Sequence, residues 1–551
     1  MTRHLRRMTL ATLWAFLLAL ADMPHALAQA AKPPPIPSFA ELEASGAIIG
    51  DIRVNTEDIF DLDDPKENNP LFRLANGLNI ITRPGVISRQ LLFKSGEPVS
   101  LRLIEETERL LRAQSYIQDV NIRPVAYRDG TVDIEVMTRD AWTLEPGFSF
   151  SREGGKNSTG LTLSESNLLG TGISIGIENK SDVDRTGTIF DISHANAFDG
   201  HTRMGYQHAD FDDGTRQSVA LIRPFYALDT RWSAGATASK DDGIESIYQS
   251  GVIDSQYRYA TREGEVFGGW SPGLIDGWAR RYTAGLRYRE DRYERDPALK
   301  APATLPADRK QVMPFLRFEA VQDDFRELRN RDKIERPEYF EFGLRSSVEI
   351  GRAMTALGST ENIWQYTAGI SRGFELPRSE LFTSASLSGD YGDGYGRNEQ
   401  IGGALRHYLP TSKHGVFFAS LEADTIRNPD SNKLLVLGGE NGLRGYPLRY
   451  QSGEQRVVLT VEQRIYSDWY PFRLFRVGGA VFADLGRAWG GESDVTRTGN
   501  RGWISDVGFG ARLLSTRSAS GKVFHIDLAF PLHEDPNIDS VQFLFKNKSE
   551  F

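Results

Sequence analysis

Short segments in which apolar and polar residues alternate fill the chain from Trp142 to its end, separated by Gly, Asp and Asn. Ile173, Ile175 and Ile177 alternate with Ser174, Gly176 and Glu178, and Phe342, Leu344, Val348 and Ile350 with Glu341, Arg345 and Glu349. Further on, Val507, Phe509, Ala511 and Leu513 alternate with Asp506 and Arg512, and Phe524, Ile526, Leu528 and Phe530 with His525 and Asp527. A period of two puts neighbouring side chains on opposite faces of a strand, so each segment has one greasy face and one face with charges of both signs. The expected fold is an all-β transmembrane antiparallel β-barrel with lipid outside and a wet lumen. A soluble sandwich with one buried face would share the alternation, but it leaves the leader, the chain end and a glycine-rich loop unexplained.

The first 141 residues have a different texture. Residues 1–28 read as a secretory signal peptide: Arg3, Arg6 and Arg7, then the apolar run Leu10 to Ala21, then Ala26-Leu27-Ala28 as a small-residue cleavage site. Elsewhere no run reaches the ~20 apolar residues of a spanning helix, so any membrane crossing is expected from strands. Residues 29–45 are a Pro-rich linker, with Pro33, Pro34, Pro35 and Pro37. Residues 46–141 read as a small α+β domain. Its first strand is Ile48 to Val54, and Ser100 can cap a helix through Leu103, Ile104, Leu110 and Leu111. A closing hairpin turns at Asp129-Gly130. Within this domain, residues 55–82 form an insertion with Asp58, Asp61, Asp63, Asp64 and Glu67 close together. Clustered hard oxygens suit calcium, but the spacing fits no ordered ligand loop, and a solvated acidic segment is the expectation.

The most informative stretch lies in a loop assigned to residues 426–453: Gly438-Gly439-Glu440-Asn441-Gly442-Leu443-Arg444-Gly445-Tyr446-Pro447. Its glycines permit a tight, folded-back path that can aim Arg444 and Tyr446 at a fixed target. In the strands that follow, Val457, Leu459, Val461 and Ile465 share one face, and Arg456, Thr460, Glu462 and Arg464 the other. Asp484 falls on the face opposite Val477, Val481 and Leu485. A charge on every other position cannot face lipid, so Glu462 and Asp484 are expected in the lumen, within reach of Arg444.

Leu443-Arg444-Gly445-Tyr446 resembles the sixth-loop motif of the outer-membrane assembly and translocation barrels, the BamA/TamA-like surface antigens and the related two-partner-secretion transporters. Phe482-Ala483-Asp484 resembles the inward-facing acidic segment of the same superfamily. The resemblance implies that Arg444 pairs with Asp484, with Glu462 as a second acidic partner. Residues 46–141 resemble a POTRA domain, through Leu91-Leu92-Phe93-Lys94-Ser95-Gly96-Glu97-Pro98, Leu110-Leu111-Arg112 and the closing hairpin. One such domain departs from relatives that carry two or several. Asn167-Leu168-Leu169-Gly170-Thr171-Gly172 resembles the turn between the second and third barrel strands, and Arg223-Pro224-Phe225-Tyr226-Ala227-Leu228 a later turn. Phe543, Phe545 and Phe551 share parity on the last strand, as in the terminal signal of outer-membrane barrels. The resemblance implies sixteen strands, whereas roughly twenty strand-like segments at ~10 residues each fit between 143 and 551. With both ends expected in the periplasm the number is even. Sixteen is the expectation and twenty the alternative, the surplus being assigned to extra hairpins or extracellular loop strands near 245–295 and 380–410.

Composition narrows the remaining choices. The formal charge of −9 gives no reason to expect nucleic acid, and the absence of cysteine excludes disulfides and thiolate metal sites. His194, His201 and His208 recur every seven residues, an odd step that alternates faces, so they are not expected to converge on a metal. No phosphate loop, serine elbow or paired metal motif is present, so no catalytic, metal or cofactor residues are assigned and an enzyme is not expected. The resemblance implies an outer-membrane protein with its N-terminal domain in the periplasm. It would assist insertion or translocation of unfolded or partly folded client proteins, in contact with outer-membrane lipid and with a periplasmic or lipoprotein partner at the POTRA-like domain. The alternatives are a two-partner-secretion transporter for one dedicated substrate, and a passive or lipid-handling barrel.

Overall fold

The computed structural model describes residues 36–249, 251–430, 432–491, 502–518, 521–533 and 538–548. The signal peptide, the start of the linker and Phe551 lie outside them.

The N-terminal domain is a three-stranded sheet in the order β1-β3-β2, from β1 (Ile48–Glu57), β2 (Ile117–Arg128) and β3 (Thr131–Asp140). β2 and β3 join through Asp129 (φ 49°) and Gly130 (φ 79°), two left-handed residues suited to a tight hairpin. Four helices accompany the sheet: α1 (Phe39–Ala44), α2 (Pro70–Leu78), α3 (Pro84–Ser88) and α4 (Leu101–Arg112). α1 lies where the linker was expected. A Ser38–Glu41 capping box starts it, and Leu42 is buried in the domain core beside Ile49, Ile104, Leu111 and Val132. Ser100 precedes α4, but its hydroxyl makes no capping bond.

The rest of the chain closes into an antiparallel wall that begins with β4 (Leu144–Glu153) and ends with Gln542–Lys548. Twenty strands form it, which corrects the expectation of sixteen. The segments assigned to extra hairpins are wall strands: Trp232–Gln249, Val252–Trp270 and Trp278–Glu294 pair along their lengths, as do Ser379–Gly392 and Tyr395–Ser412. Barrel circumference is set by how many strands pair, and a resemblance carried by short loop, turn and terminal motifs does not constrain that number.

The outer face is apolar around the wall, with Phe148, Leu161, Val266, Leu316, Ile401, Val481 and Phe509 all exposed. The inner face holds buried charges, among them Glu462, Arg464, Asp484, Asp506, Arg512 and Asp527. Only lipid satisfies an apolar belt of this extent, so the wall is a transmembrane barrel. Among the described residues no helix is long and apolar enough to cross a membrane.

Phe342 does not extend the strand Arg345–Ala353, as its alternation suggested. It is buried at the foot of a hairpin (Phe325–Arg329 paired with Pro337–Glu341) that enters the lumen at the end nearest the N-terminal domain. The hairpin tip seats Ile334 among inward-facing Tyr408, Val416, Phe418, Tyr466 and Leu514.

The N-terminal domain is fixed to the turns at this near end. Thr82 donates from its amide to Asp140 Oδ2 (2.7 Å) and from its hydroxyl to Asp140 Oδ1 (2.7 Å). Asn167, in the turn between the second and third wall strands, donates to Thr82 Oγ1 at 2.7 Å. Glu106 of α4 accepts from the amide of Leu228, and Arg517 pairs with Glu67 and donates to Ile59 O. These bonds spread the domain across the barrel mouth.

Candidate functional site: a lumenal arginine and the barrel seam

The loop after the strand Gly415–Arg427 turns back into the lumen and carries a short ladder, Leu435–Leu437 with Gln451–Gly453. Its glycines have specific steric causes. Gly442 sits at φ 99°, and a Cβ on Gly445 would meet Asp506 Cβ at 2.7 Å and Pro531 N at 3.1 Å. Leu443 and Tyr446 are fully buried with Leu437, Tyr450, Val458, Ala488 and Ile504, so apolar packing holds the loop against the inner wall. The Tyr446 hydroxyl donates to Ser505 O at 2.9 Å, and the Gly445 amide donates to Asp506 Oδ2 at 2.9 Å.

This packing leaves Arg444 only 7% exposed. Its Nε and Nη2 form a fork on Asp484 at 2.7 and 2.9 Å, and Nη1 reaches Glu462 Oε1 at 2.7 Å. The guanidinium carbon lies 3.4 Å from the ring centre of Phe482. Thr460 donates to Asp484 Oδ1 at 2.8 Å, so that carboxylate is further satisfied from the wall. A planar fork matched to one carboxylate, with a second carboxylate on its remaining edge, fixes both position and orientation. Arg444, Asp484 and Glu462 therefore converge, while Leu443, Gly445 and Tyr446 supply the packing and backbone bonds that seat the loop.

Two neighbours were not singled out in the sequence. Asp506 stands opposite Asp484 in the strand register and receives the Gly445 amide. Arg464 donates to Glu462 Oε2 at 2.9 Å and, from Nη1, to Arg331 O at 2.7 Å and Asp332 Oδ1 at 3.2 Å. Asp332 also accepts from Tyr408 at 2.9 Å. The loop entering from the far end and the hairpin entering from the near end thus grip one strand, Gln455–Tyr466, through adjacent inward positions. The alternation already placed Arg464 inward, but nothing in it marked Asp332, which lies outside any wall strand.

The loop also touches both sides of the join between first and last strands. Lys546 donates to Gly439 O at 3.0 Å, and a Cβ on Gly154, in the turn after β4, would collide with the Leu448 backbone nitrogen. At the join itself one register pair, Phe545 opposite Arg152, links the two strands among the described residues. Their other edges are fully laddered, from Leu144 opposite Glu165 to Glu153 opposite Lys156, and from Val523 opposite Lys548 to Ala529 opposite Gln542. Phe543 and Phe545 face outward, as their parity predicts, with Gln542 and Leu544 buried on the opposite face.

No protein-family profile matches the chain, and no curated protein sequence does. Among solved structures it is similar to BamA from Haemophilus ducreyi lacking POTRA domains 1–3, at 13% identity and a TM-score of 0.38, covering 90% of this chain and 84% of that one. It is similar to CdiB from Escherichia coli at 12% identity and a TM-score of 0.48, covering 92% and 77%. It is also similar to the FrpB iron transporter from Neisseria meningitidis, apoprotein form, at 9% identity and a TM-score of 0.41, covering 80% and 88%. At these values the three likenesses carry no choice of function.

Proposed function

We propose that this protein is an outer-membrane barrel that assists insertion or translocation of client proteins, its N-terminal POTRA-like domain receiving them in the periplasm. The observation that carries the reading is the seam. Among the described residues one register pair joins β4 to the last strand, while a charge-locked loop braces the wall from inside. Edges held by so few backbone bonds open at low cost, and an opened edge can accept an incoming strand. The domain's sheet adds the edge strands β1 and β2, of which β1 is bonded at Ile49 to residues 96 and 97 and has no second strand beside its later residues among the described residues. A passive pore fits less well, because the loop and the Phe325–Glu341 hairpin both occupy the lumen.

The test locks the seam. The natural sequence has no cysteine, so Arg152→Cys with Phe545→Cys gives a single disulfide across the join. The assay is incorporation of a urea-unfolded β-barrel protein into vesicles containing the variant. Oxidation is expected to stop incorporation and reduction to restore it. Equal incorporation by the locked and free barrels would remove the seam from the mechanism.

A further inference from the structure

Beyond the end of β1, residues 58–82 of the insertion play no part in the loop, the seam or the sheet edge, and they contain the most unusual surface of the N-terminal domain. Helix α2 begins cleanly, with Asn69 accepting from the Phe72 amide and Pro70 in its first turn. One side is built into the protein. Phe72 stacks on Phe60 with ring centres 3.8 Å apart, Ala75 is buried, and Asn76 exchanges two hydrogen bonds with the Phe60 backbone. The opposite side carries Leu71, Leu74 and Leu78 at 61%, 59% and 63% exposure, followed by Ile80 at 53%. Steps of three and four put these leucines on one stripe, so the helix is two-faced with its greasier face unpartnered. It cannot roll to bury that face while Arg517 holds Glu67 and Ile59 O just before it.

The acidic residues do not surround the stripe. Asp58 accepts from Asn79 and the Ile59 amide, Asp61 from the Asp63 amide and Asp64 from the Lys66 amide, so these carboxylates serve the local loop. What the stripe does adjoin is the barrel's outer surface. A small recess of about 100 Å³, of mixed lining, brings Leu78 and Ile80 together with Trp142, Leu144 and Leu169. Leu144 starts the outward row of β4 that continues to Phe148, and Leu169 tips the adjoining turn, itself 55% exposed. The connection is firm: Arg83 donates from its amide to Gly170 O at 3.0 Å and from Nε to Leu169 O at 3.2 Å. The stripe is therefore a continuation of the lipid-facing belt, at the foot of the first strand and beside the seam.

We propose that α2 is a membrane foot: Leu71, Leu74, Leu78 and Ile80 enter the acyl boundary of the near leaflet and hold the N-terminal domain beneath the seam. A two-faced helix lying in an interface buries its apolar side in this way, and a covalently attached barrel supplies the local concentration a nine-residue helix lacks. The inference rests on the membrane reading of the barrel and is independent of what the barrel handles.

The test uses the full chain in phosphatidylcholine vesicles, with one environment-sensitive dye on a single introduced cysteine. The positions are Leu74→Cys on the stripe, Lys66→Cys on the exposed acidic turn and Leu163→Cys on the belt; all three are at the surface. Quenching by nitroxide-bearing lipid is expected at position 74 within about twofold of position 163, with iodide quenching roughly tenfold weaker than at position 66. Iodide quenching at 74 equal to that at 66, with no lipid quenching, overturns the proposal. So does protection from both quenchers, which means that protein covers the stripe. Lipid quenching absent at 163 as well overturns the membrane reading, and the proposal with it.

Discussion

Replacing Arg444 by alanine removes four attachments at once: the fork on Asp484, the bond to Glu462 and the stack on Phe482. It leaves two buried carboxylates, with Asp506 across the strand pair from one of them. Breaking a buried pair by deleting one partner costs about 3–5 kcal/mol. The ring contact, worth ~2 kcal/mol when desolvated, is part of that figure rather than an addition, because the groups act as one cluster. Arg464 still neutralises Glu462, so the loss falls mainly on Asp484. If the cost is borne by loop docking, the ratio of docked to free loop falls ~100-fold or more. The assay is labelling of Leu443→Cys, a fully buried site, by a membrane-impermeant maleimide, with barrel melting followed by heat-dependent gel migration. Labelling is expected to accelerate by about two orders of magnitude in Arg444→Ala, and less in Arg444→Lys, which keeps the charge but loses the fork. An Arg444→Ala barrel with unchanged labelling and unchanged melting would refute the reasoning, because it would mean the guanidinium contributes nothing to holding the loop.

Arg464→Met should free the near-end hairpin more than the far-end loop, raising single-channel conductance while Leu443→Cys stays protected; a rise in labelling without a rise in conductance would contradict that division. Gly445→Ala forces a Cβ against Asp506 and should cost about 1–3 kcal/mol in barrel melting, whereas Gly268→Ala, where a Cβ meets nothing, should not. Burial raises the Asp140 carboxyl to about 6, against the opposing hydrogen bonds from Thr82. Its folded value exceeds its unfolded one, so its stabilisation is complete below about pH 4 and is lost as pH rises through 6. The joint between domain and barrel should therefore loosen from pH 4 to 7, read as faster proteolysis after residue 141, and Asp140→Asn should remove that slope.

The local geometry of the site could be read from residues, whereas its global frame could not. Parity alone put Glu462 and Asp484 on the inner face, and the glycine-rich stretch identified a folded-back loop around Arg444; the structure brings the three together. Strand number escaped, because alternation says which side a residue faces and not whether its strand pairs into the wall. The same ambiguity hid the lumenal hairpin: Phe342 and Leu344 continue the phase of Val348 and Ile350, yet the chain leaves the wall before Arg345. Helix α2 was masked by the carboxylates before it, although Asn69-Pro70 and the leucine spacing are a helix start and an apolar stripe.

The most direct measurement is hydrogen–deuterium exchange of the lipid-embedded protein, comparing peptides from the loop, the seam and the wall. Backbone amides that donate inside the structure exchange only when it opens, so exchange separates a braced loop from a weak join. The expected result is slow exchange at 443–446, matching the strand 455–466, together with fast exchange at the alternate amides of 144–153 and 542–548 that point at the join. A loop that exchanges as fast as solvent-exposed turns, or a join as protected as the rest of the wall, would contradict it.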